Sequence, residues 1–323
     1  PFPFVAVIDG DSNEVLYTIP GGDNGIGRGA WGVMANEDYV YVGAFTDGRI
    51  SIIDPATDLV VANRSPMGTF QPTSPALNPV TGLVHFPDYR IGRTITLAGA
   101  NIVDGAYVNN GARGYSPFEM VIANAGSKGT SYVTLRDALL PFPYSFTALN
   151  NANRNRQRVP VEVGGGHSGN PHAIGLWQQP GDSEGRLFIT YADDPRQGGV
   201  SFPNPNKLAL YSFSTANPQS VGVERVEIEV GDYAEVGLTF DPTGNQMIGT
   251  YAGFPYDDSN GVAAACASGE RGGTYTVNFN GDVSPGFAPG IVVGNPPLTS
   301  ANGGLDWKNP FEIAVNPNNG TIY

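Results

Sequence analysis

The feature that most constrains the fold is a pair of short apolar segments that recurs six times along the 323-residue chain. In each copy, a small-residue or apolar segment is followed by a turn rich in Asn, Asp, Pro and Gly, and then by a second apolar segment. Short runs of Val, Ile, Tyr, Phe and Thr bounded by such turns are typical of β-strands. The six copies span Ala30–Gly43, Pro72–Phe86, Ser116–Val133, Asn170–Tyr191, Tyr233–Tyr251 and Asn309–Tyr323.

Each of these inner pairs is expected to be followed by an outer pair of strands. Arg49–Arg64 is the clearest example, and Phe4–Ile19 has the same form at the start of the chain. Looser outer pairs combine Thr94–Ala98 with Ala106–Asn109, Tyr144–Leu149 with Arg158–Val163, Lys207–Phe213 with Gly222–Val230, and Gly273–Phe279 with Gly290–Val293. Four strands per repeat, at a spacing of ~40–60 residues, are typical of β-propeller blades. No segment keeps a helical period, so little helix is expected.

The two ends of the chain are complementary, because the chain starts with an outer pair and finishes with an inner pair. Together they would form one blade and close the ring without an open seam. We therefore predict one all-β domain, residues 1–323, that forms a six-bladed β-propeller whose last blade is closed by the N-terminal strands. A seven-bladed propeller and a many-stranded β-sandwich are the alternatives. The predicted blades cover residues 30–65, 70–110, 115–163, 170–231, 233–294, and 306–323 together with 1–20.

Two kinds of segment resemble the YVTN-type propeller repeat. VAVIDGDSNEVLYTI and ISIIDPATDLVVA resemble its outer hairpin, and NPFEIAVNPNNGTIY resembles its inner hairpin. The resemblance is strongest over residues 1–65 and 306–323. It implies a propeller fold, commonly found on secreted or surface-layer proteins. It implies no single chemistry, since related propellers include lactonases, binding modules and structural parts.

Composition excludes several classes of partner and site. The net charge of −13 argues against binding to nucleic acids or anionic membranes, because both require a basic surface. The single cysteine, Cys266, excludes a disulfide framework within the chain and a cysteine-rich zinc site. No apolar run approaches the ~20 residues of a membrane-spanning helix. Low lysine content, one cysteine and abundant Asn, Gly, Thr and Pro suit an extracellular or cell-surface protein. If the chain is secreted in a glycosylating host, the sequons at Asn63 and Asn319 are candidate glycan sites.

Candidate site residues are expected where the inner strands begin, because these strands line the central channel of a propeller. Those positions hold Trp31, Ser74, Glu119, His172, Glu235 and Glu312. The three glutamates would repel one another at a narrow mouth, which Ca²⁺ or another divalent cation would relieve. Alternatively, one glutamate has a raised pKa and acts as a general base, or all three accept hydrogen bonds from backbone N–H groups. The acidic pairs Asp193-Asp194 and Asp257-Asp258, on two long connections, either form an acidic rim for a cationic or metal-bridged ligand or are solvated loop residues without a ligand.

The Asp9–Glu14 segment and two histidines are further candidate sites with less support from the sequence. Asp9–Glu14 begins like a calcium loop but lacks the glycine at its sixth position and the distant glutamate, so an Asx turn explains it better. His85 is expected to pack on a strand, whereas His172 is the best candidate for acid–base chemistry because of its place at the mouth.

These observations favour a non-catalytic extracellular or cell-surface module that binds protein partners or assembles with itself. The N-terminal hairpin could complete the blade of a neighbouring molecule and so form a filament. The alternative is a metal-dependent hydrolase of the lactonase type, in which Glu119, Glu235 and Glu312 hold a divalent cation and His172 moves protons.

Overall fold

The computed structural model of the protein describes residues 4–10, 12, 14–66, 69–108, 116–136, 143–163, 167–192, 207–230, 234–242, 245–251, 273–285 and 313–315. The regular structure in these residues consists of β-strands, which confirms the predicted all-β class. No helix in this part of the chain has the length and apolar character needed to cross a membrane.

A two-stranded hairpin and five four-stranded antiparallel sheets follow one another along the chain. The hairpin consists of β1 (Phe4–Ile8) and β2 (Val15–Pro20). Blade 1 consists of β3 (Ala30–Ala35), β4 (Val40–Ala44), β5 (Arg49–Asp54) and β6 (Leu59–Arg64), and blade 2 of β7 (Ala76–Leu77), β8 (Val84–Asp88), β9 (Arg93–Ala98) and β10 (Asn101–Tyr107). Blade 3 consists of β11 (Ser116–Ala123), β12 (Thr130–Arg136), β13 (Ser145–Asn150) and β14 (Arg156–Pro160).

The remaining strands form two further blades and a short connection. The pair β15 (Glu162–Val163) and β16 (His167–Ser168) lies between blades 3 and 4. Blade 4 consists of β17 (Asn170–Trp177), β18 (Glu184–Ala192), β19 (Lys207–Ser214) and β20 (Asn217–Glu229). Blade 5 consists of β21 (Ala234–Asp241), β22 (Gln246–Tyr251), β23 (Gly273–Val277) and β24 (Val283–Pro285).

The hydrophobic core lies between neighbouring blades. The second and third strands of blades 1 to 3 are buried almost throughout, whereas their outer strands alternate between exposed and half-buried residues. Each core cluster combines residues of two successive sheets; for example, Tyr41 and Ile50 of blade 1 pack with Phe86 of blade 2. Sheets that are apolar on both faces can bury both only by packing face to face in sequence. The β-propeller arrangement follows from this packing.

The N-terminal hairpin packs against blade 1 in the manner of a preceding blade. Ile19 joins a cluster with Val42 and Ile53 of blade 1. The guanidinium group of Arg49 donates hydrogen bonds to the carbonyl oxygens of Gly22, at 2.6 Å, and Asp23, at 3.1 Å, and so holds the connection between the hairpin and β3. The predicted partner strands of the hairpin, in residues 306–323, lie outside the described residues except for Ile313–Val315.

Two predicted outer strands differ from those found. The outer strand of blade 2 begins at Asn101, not at Ala106, because a tight turn at Gly99, with a φ of 53°, reverses the chain directly after β9. In blade 5 the strand that pairs with β23 is Val283–Pro285. The predicted strand Gly290–Val293 lies outside the described residues.

The turns at Asp9 and Asp54 have the Asx geometry expected from the sequence. The Asp9 Oδ1 atom accepts a hydrogen bond from the Ser12 amide at 2.7 Å, and the Asp54 Oδ1 atom accepts one from the Ala56 amide at 2.8 Å. Side-chain acceptors of this kind close tight turns without a bound ion.

The ring of blades has two distinct faces. We call the face at which the inner strands begin and the second strands end the mouth face. We call the opposite face, which carries the turns inside each hairpin, the turn face. All long connections that fall outside the described residues join strands on the mouth face.

Candidate binding site at the channel mouth

The inner strands surround a central cavity of about 590 Å³. Its wall combines residues from the inner strands of all five blades with Ile313 and Ala314 near the C-terminus. Most of the lining side chains are apolar, and Glu119 is the only ionisable residue among the described lining residues. The wall includes Trp31, Met34, Ser74, Leu77, Glu119, Ile122, Ile174, Leu176, Leu238, Phe240 and Ile313.

A β-bulge interrupts every described inner strand at the same place, close to the mouth face. In blade 1 the register shifts between Ala30 and Val33, and corresponding shifts separate the inner-strand positions Pro117 from Met120 and Pro171 from Ile174. Blade 5 has a shift between Ala234 and Leu238. In blade 2 the Pro72–Asp88 bridge and the Ala76–His85 pair are likewise out of step by one residue. Bulges re-aim side chains and are common beside functional sites.

Five of the six residues predicted from the repeat occupy these bulges. They are Trp31, Ser74, Glu119, His172 and Glu235. Within the bulges, Trp31 and His172 hold corresponding places, which Phe118 holds in blade 3, whereas Glu119 corresponds to Ala173 of blade 4. Glu312 lies outside the described residues, as do Asp193-Asp194 and Asp257-Asp258, and the side chain of Glu235 is not described. Within the described residues, no three His, Cys, Asp or Glu side chains are grouped so that they could share a metal ion.

Glu119 is buried, with 5% of its surface exposed, and it joins two blades. Its Oε2 atom accepts a hydrogen bond from the backbone amide of Ile174 in blade 4, at 3.0 Å. Its own amide donates to the hydroxyl of Thr134 at 3.0 Å, and that hydroxyl lies 3.1 Å from the carbonyl oxygen of His172. The backbone groups freed by the bulges of blades 3 and 4 are thus paired through side chains. Among the alternatives that the sequence leaves open for Glu119, the structure shows the one in which its carboxylate accepts a hydrogen bond from a backbone amide.

Burial and neighbouring charge control the protonation of His172. Its side chain is buried, and burial together with the positive charge of Arg136 lowers the pKa of His172 well below its usual value. Burial also raises the pKa of Tyr275, and the charge of Glu119 adds to that effect. His172 is therefore neutral at neutral pH, so it can accept a proton but is a poor general acid there.

Four aromatic rings from three blades form a closed cluster at the mouth face. We call Trp31, Phe45, Tyr89 and Phe118 the four-ring cluster. Its centroid distances are 5.6 Å for Trp31–Phe45, 5.7 Å for Phe45–Tyr89, 6.3 Å for Tyr89–Phe118 and 5.6 Å for Trp31–Phe118. These separations lie in the range of favourable aromatic contacts. The guanidinium carbon of Arg136 lies 4.4 Å from the centroid of Phe118, which is a cation–π geometry.

The four-ring cluster combines accessibility with rigid support. Trp31, Phe45, Tyr89 and Arg136 are partly exposed, whereas Phe118 is buried, with 3% exposure. Phe45 and Tyr89 directly follow the second strands of their blades, and Arg136 is the last residue of β12. Of the four rings, only Trp31 was among the residues predicted from the sequence. Alignment of the ends of the second strands would have shown that blades 1, 2 and 3 each have a large side chain there, namely Phe45, Tyr89 and Arg136.

A second cluster of aromatic rings with a stacked arginine lies on the turn face. Trp177 contacts Phe240 and Phe279, with ring centroids at 5.0 and 4.9 Å. The guanidinium carbon of Arg186 lies 3.6 Å from the centroid of Phe279. This turn-face cluster joins blades 4 and 5 and has the same chemistry as the four-ring cluster, but it lies on the other side of the molecule.

The structure describes one of the two predicted glycosylation sites. Asn63 lies on β6, where its side-chain Oδ1 atom accepts a hydrogen bond from the Ser51 hydroxyl at 2.8 Å, and it is half-buried. Asn319 lies outside the described residues.

Solved structures with the same fold are numerous. Hydrazine synthase from Kuenenia stuttgartiensis matches with a TM-score of 0.58 and 11% identity, over 91% of this chain and 73% of that one. The WD40 domain of Neurospora crassa Pan2 matches with a TM-score of 0.57 and 6% identity, over 97% and 76%. A provisionally assigned 6-phosphogluconolactonase from Bacteroides uniformis matches with a TM-score of 0.53 and 12% identity, over 88% and 76%.

At these identities the likeness shows the β-propeller fold alone. No family profile matches the sequence, and no curated protein is significantly similar to it. The resemblance to YVTN repeats therefore stays a prediction.

Proposed function

We propose that this β-propeller is a binding module that holds a protein partner on the four-ring cluster at its mouth face. The observation that carries the proposal is the joining of Trp31, Phe45, Tyr89 and Phe118 from three blades, with Arg136 stacked on one ring. Trp, Tyr and Arg are the residues that most often dominate the energetics of protein interfaces. Their position on strand ends favours binding because little side-chain freedom is lost when a partner docks.

Charge and shape indicate the kind of partner. The chain carries a net charge of −13, which favours a partner with a basic surface and speeds its approach. The apolar channel of about 590 Å³, which Trp31 of the four-ring cluster lines, can accept an apolar side chain of the partner as an anchor. The expected interface has an aromatic centre with a polar, acidic rim.

The proposal includes an extracellular or cell-surface location and a non-catalytic role. The low lysine content and the single cysteine support the location. We further propose that the ring has six blades, the sixth combining β1 and β2 with residues 306–323. In support, the hairpin packs on blade 1 and Ile313 lines the channel beside the five inner strands. If the hairpin instead completed the blade of a neighbouring molecule, the same pairing would form a filament.

A metal-dependent hydrolase of the lactonase type is the second candidate function. The supporting observation is that Glu119, His172 and Glu235 all lie in equivalent bulges of successive blades. With Glu312, these glutamates would hold a Ca²⁺ or another divalent cation that polarises a lactone carbonyl and activates water.

A peptide-display selection tests the binding proposal. Peptides selected on the wild-type protein are measured for affinity against Trp31→Ala and against Phe279→Ala, which removes a ring from the turn-face cluster. We expect Trp31→Ala to weaken binding by about tenfold or more and Phe279→Ala to leave it unchanged. Equal effects of both variants, or no selected binder sensitive to Trp31→Ala, would overturn the proposal. Thermal unfolding of both variants shows whether each remains folded.

Metal analysis separates the two candidate functions. A stoichiometric divalent ion in the purified protein, lost in Glu119→Gln together with lactone hydrolysis, would favour the hydrolase. Peptide binding that depends on Trp31 and is insensitive to chelation would favour the binding module.

A further inference from the structure

A second cavity, of about 210 Å³, lies between blades 2 and 3 on the turn face. It is separate from the central channel and shares no lining residue with it. One part of the wall is apolar and another part is polar and charged. The polar wall is formed by Asn78, His85, Thr94, Thr96, Asp104, Lys128, Asn151 and Arg154, and the apolar wall by Leu83, Val103, Ala106 and Leu149.

His85 lines this cavity and has one buried polar atom without a partner. Only 6% of the His85 surface is exposed, and its Nδ1 atom lies 3.2 Å from the hydroxyl of Thr96. Its Nε2 atom is buried and has no hydrogen-bond partner. When Nδ1 accepts a hydrogen bond from the Thr96 hydroxyl, the hydrogen of the neutral imidazole is on Nε2, which is then a donor. A buried donor without a partner costs free energy, and a ligand or water in the cavity would recover it.

Asn151 supplies a second donor at the same wall. Its Oδ1 atom accepts a hydrogen bond from the Ser131 hydroxyl at 3.1 Å, which fixes the orientation of the amide. The Nδ2 atom is buried and, like His85 Nε2, has no hydrogen-bond partner. Two residues of this cavity wall, from different blades, thus each have a buried nitrogen without a hydrogen-bond partner, and both nitrogens are donors when His85 carries its hydrogen on Nε2.

Charged groups at the rim make the cavity favourable for a negative ligand. The Oδ1 atom of Asp104 is bound by Arg154, at 2.6 Å, and by the amide of Gly105, at 2.8 Å, so its charge is offset. Lys128 adds a further positive charge to the wall. The charged residues that line the cavity are therefore Asp104, Lys128 and Arg154, with one net positive charge.

We propose that the cavity between blades 2 and 3 binds the carboxylate of a small organic acid, with His85 and Asn151 donating to its oxygens. Lys128 supplies charge complementarity, and Leu83, Val103 and Leu149 contact the hydrocarbon part. A carboxylate fits because its two oxygens accept several hydrogen bonds and donate none. This site lies on the face opposite to the proposed partner site and does not depend on that proposal.

Binding would be coupled to the protonation of His85. Burial lowers the pKa of His85 to about 4, and the charge of Asp104 partly opposes that shift. An anion beside the imidazole favours its charged form, so the pKa of His85 would rise when the site fills. This change is measurable on the imidazole itself.

The test uses butyrate as the probe and butyramide as its neutral counterpart. The imidazole resonances of His85 are followed by NMR in protein with ¹⁵N-labelled histidine and are assigned with His85→Gln. We expect butyrate to shift the His85 Nε2 resonance and raise the pKa of His85, with no change at His172. Asn151→Ala should weaken butyrate binding by about tenfold, whereas Ser127→Ala, beside Lys128 but outside the cavity wall, should leave it unchanged.

Three outcomes would overturn the proposal. Equal shifts with butyrate and butyramide would show that charge plays no part. No shift with either would show that neither compound binds beside His85. Binding of inorganic phosphate without binding of butyrate would exclude the carboxylate as the ligand class. The wild-type titration decides among these outcomes even if Asn151→Ala fails to fold.

Discussion

The carboxylate of Glu119 accepts a hydrogen bond from the backbone amide of Ile174, at 3.0 Å, and so joins the inner strands of blades 3 and 4. Glu119 also lines the central channel. The same side chain therefore stabilises the ring of blades and presents negative charge to the mouth. Any test of Glu119 as a ligand for a cation has to separate these two contributions.

Replacement of Glu119 separates its acceptor role from its charge. Glu119→Gln keeps a carbonyl oxygen that can accept from the Ile174 amide, whereas Glu119→Ala leaves that buried amide without a partner. We expect Glu119→Ala to lower the free energy of unfolding by about 1–3 kcal/mol and Glu119→Gln to lower it less. Urea denaturation measures both values. Equal losses in the two variants would show that the charge, and not the acceptor, stabilises the fold.

Stability should decrease as the pH falls below the usual pKa of histidine. Burial lowers the pKa of His85 from 6.5 to about 4, and burial with the charge of Arg136 lowers the pKa of His172. Both folded-state values lie below the unfolded values, so the unfolded chain binds these protons first. The stabilisation is fully present above about pH 6.5 and is lost as the pH falls toward about 4, where His85 alone accounts for about 3 kcal/mol.

Chemical denaturation at several pH values between about 7 and 5 measures this dependence. His85→Gln should flatten the slope, whatever its effect on stability at neutral pH. A wild-type slope near zero over this interval would mean that the folded protein protonates these histidines as readily as the unfolded chain does.

Arg49 should control how firmly the N-terminal hairpin is held. Its guanidinium group donates to the carbonyl oxygens of Gly22 and Asp23, so Arg49→Ala removes these two bonds. We expect hydrogen exchange in residues 4–26 to accelerate by about tenfold while blade 4 stays unchanged. Arg64→Ala, which removes a bond to the Ala100 carbonyl oxygen at 2.7 Å, is the control. Uniform acceleration in all blades, or none in the hairpin, would contradict the assigned role.

The blades were predictable from the sequence because strand and turn chemistry is local. The pair Ser116–Val133, for example, corresponds to β11 and β12, and Arg49–Arg64 corresponds to β5 and β6. The sequence predicts that the outer strand of blade 2 begins at Ala106, five residues after its observed start at Asn101. The reason is that Asn101–Tyr107 contains Asp104 and Gly105, which are typical of loops. Pairing with β9 overrides that local preference.

The site was only partly predictable, because its geometry depends on contacts between blades. The repeat predicted residues that lie in the inner-strand bulges, but it did not predict that Phe118, and not Glu119, holds the place in blade 3 that corresponds to Trp31 and His172. The four-ring cluster required the distances between three blades, and no spacing along the chain encodes those distances. The cavity between blades 2 and 3, which His85 lines, likewise forms only when these two blades pack together.

The bulge in each inner strand has a consequence for how such a protein can change over time. Where two residues oppose one, the side chain at the bulge is released from the strict alternation that ties every other position to a buried face. A new residue at Trp31 or Ser74 can therefore alter the channel wall while the ladder on either side stays in register. The ring offers separately adjustable positions on an otherwise constant scaffold, so ligand preference can diverge without loss of foldability.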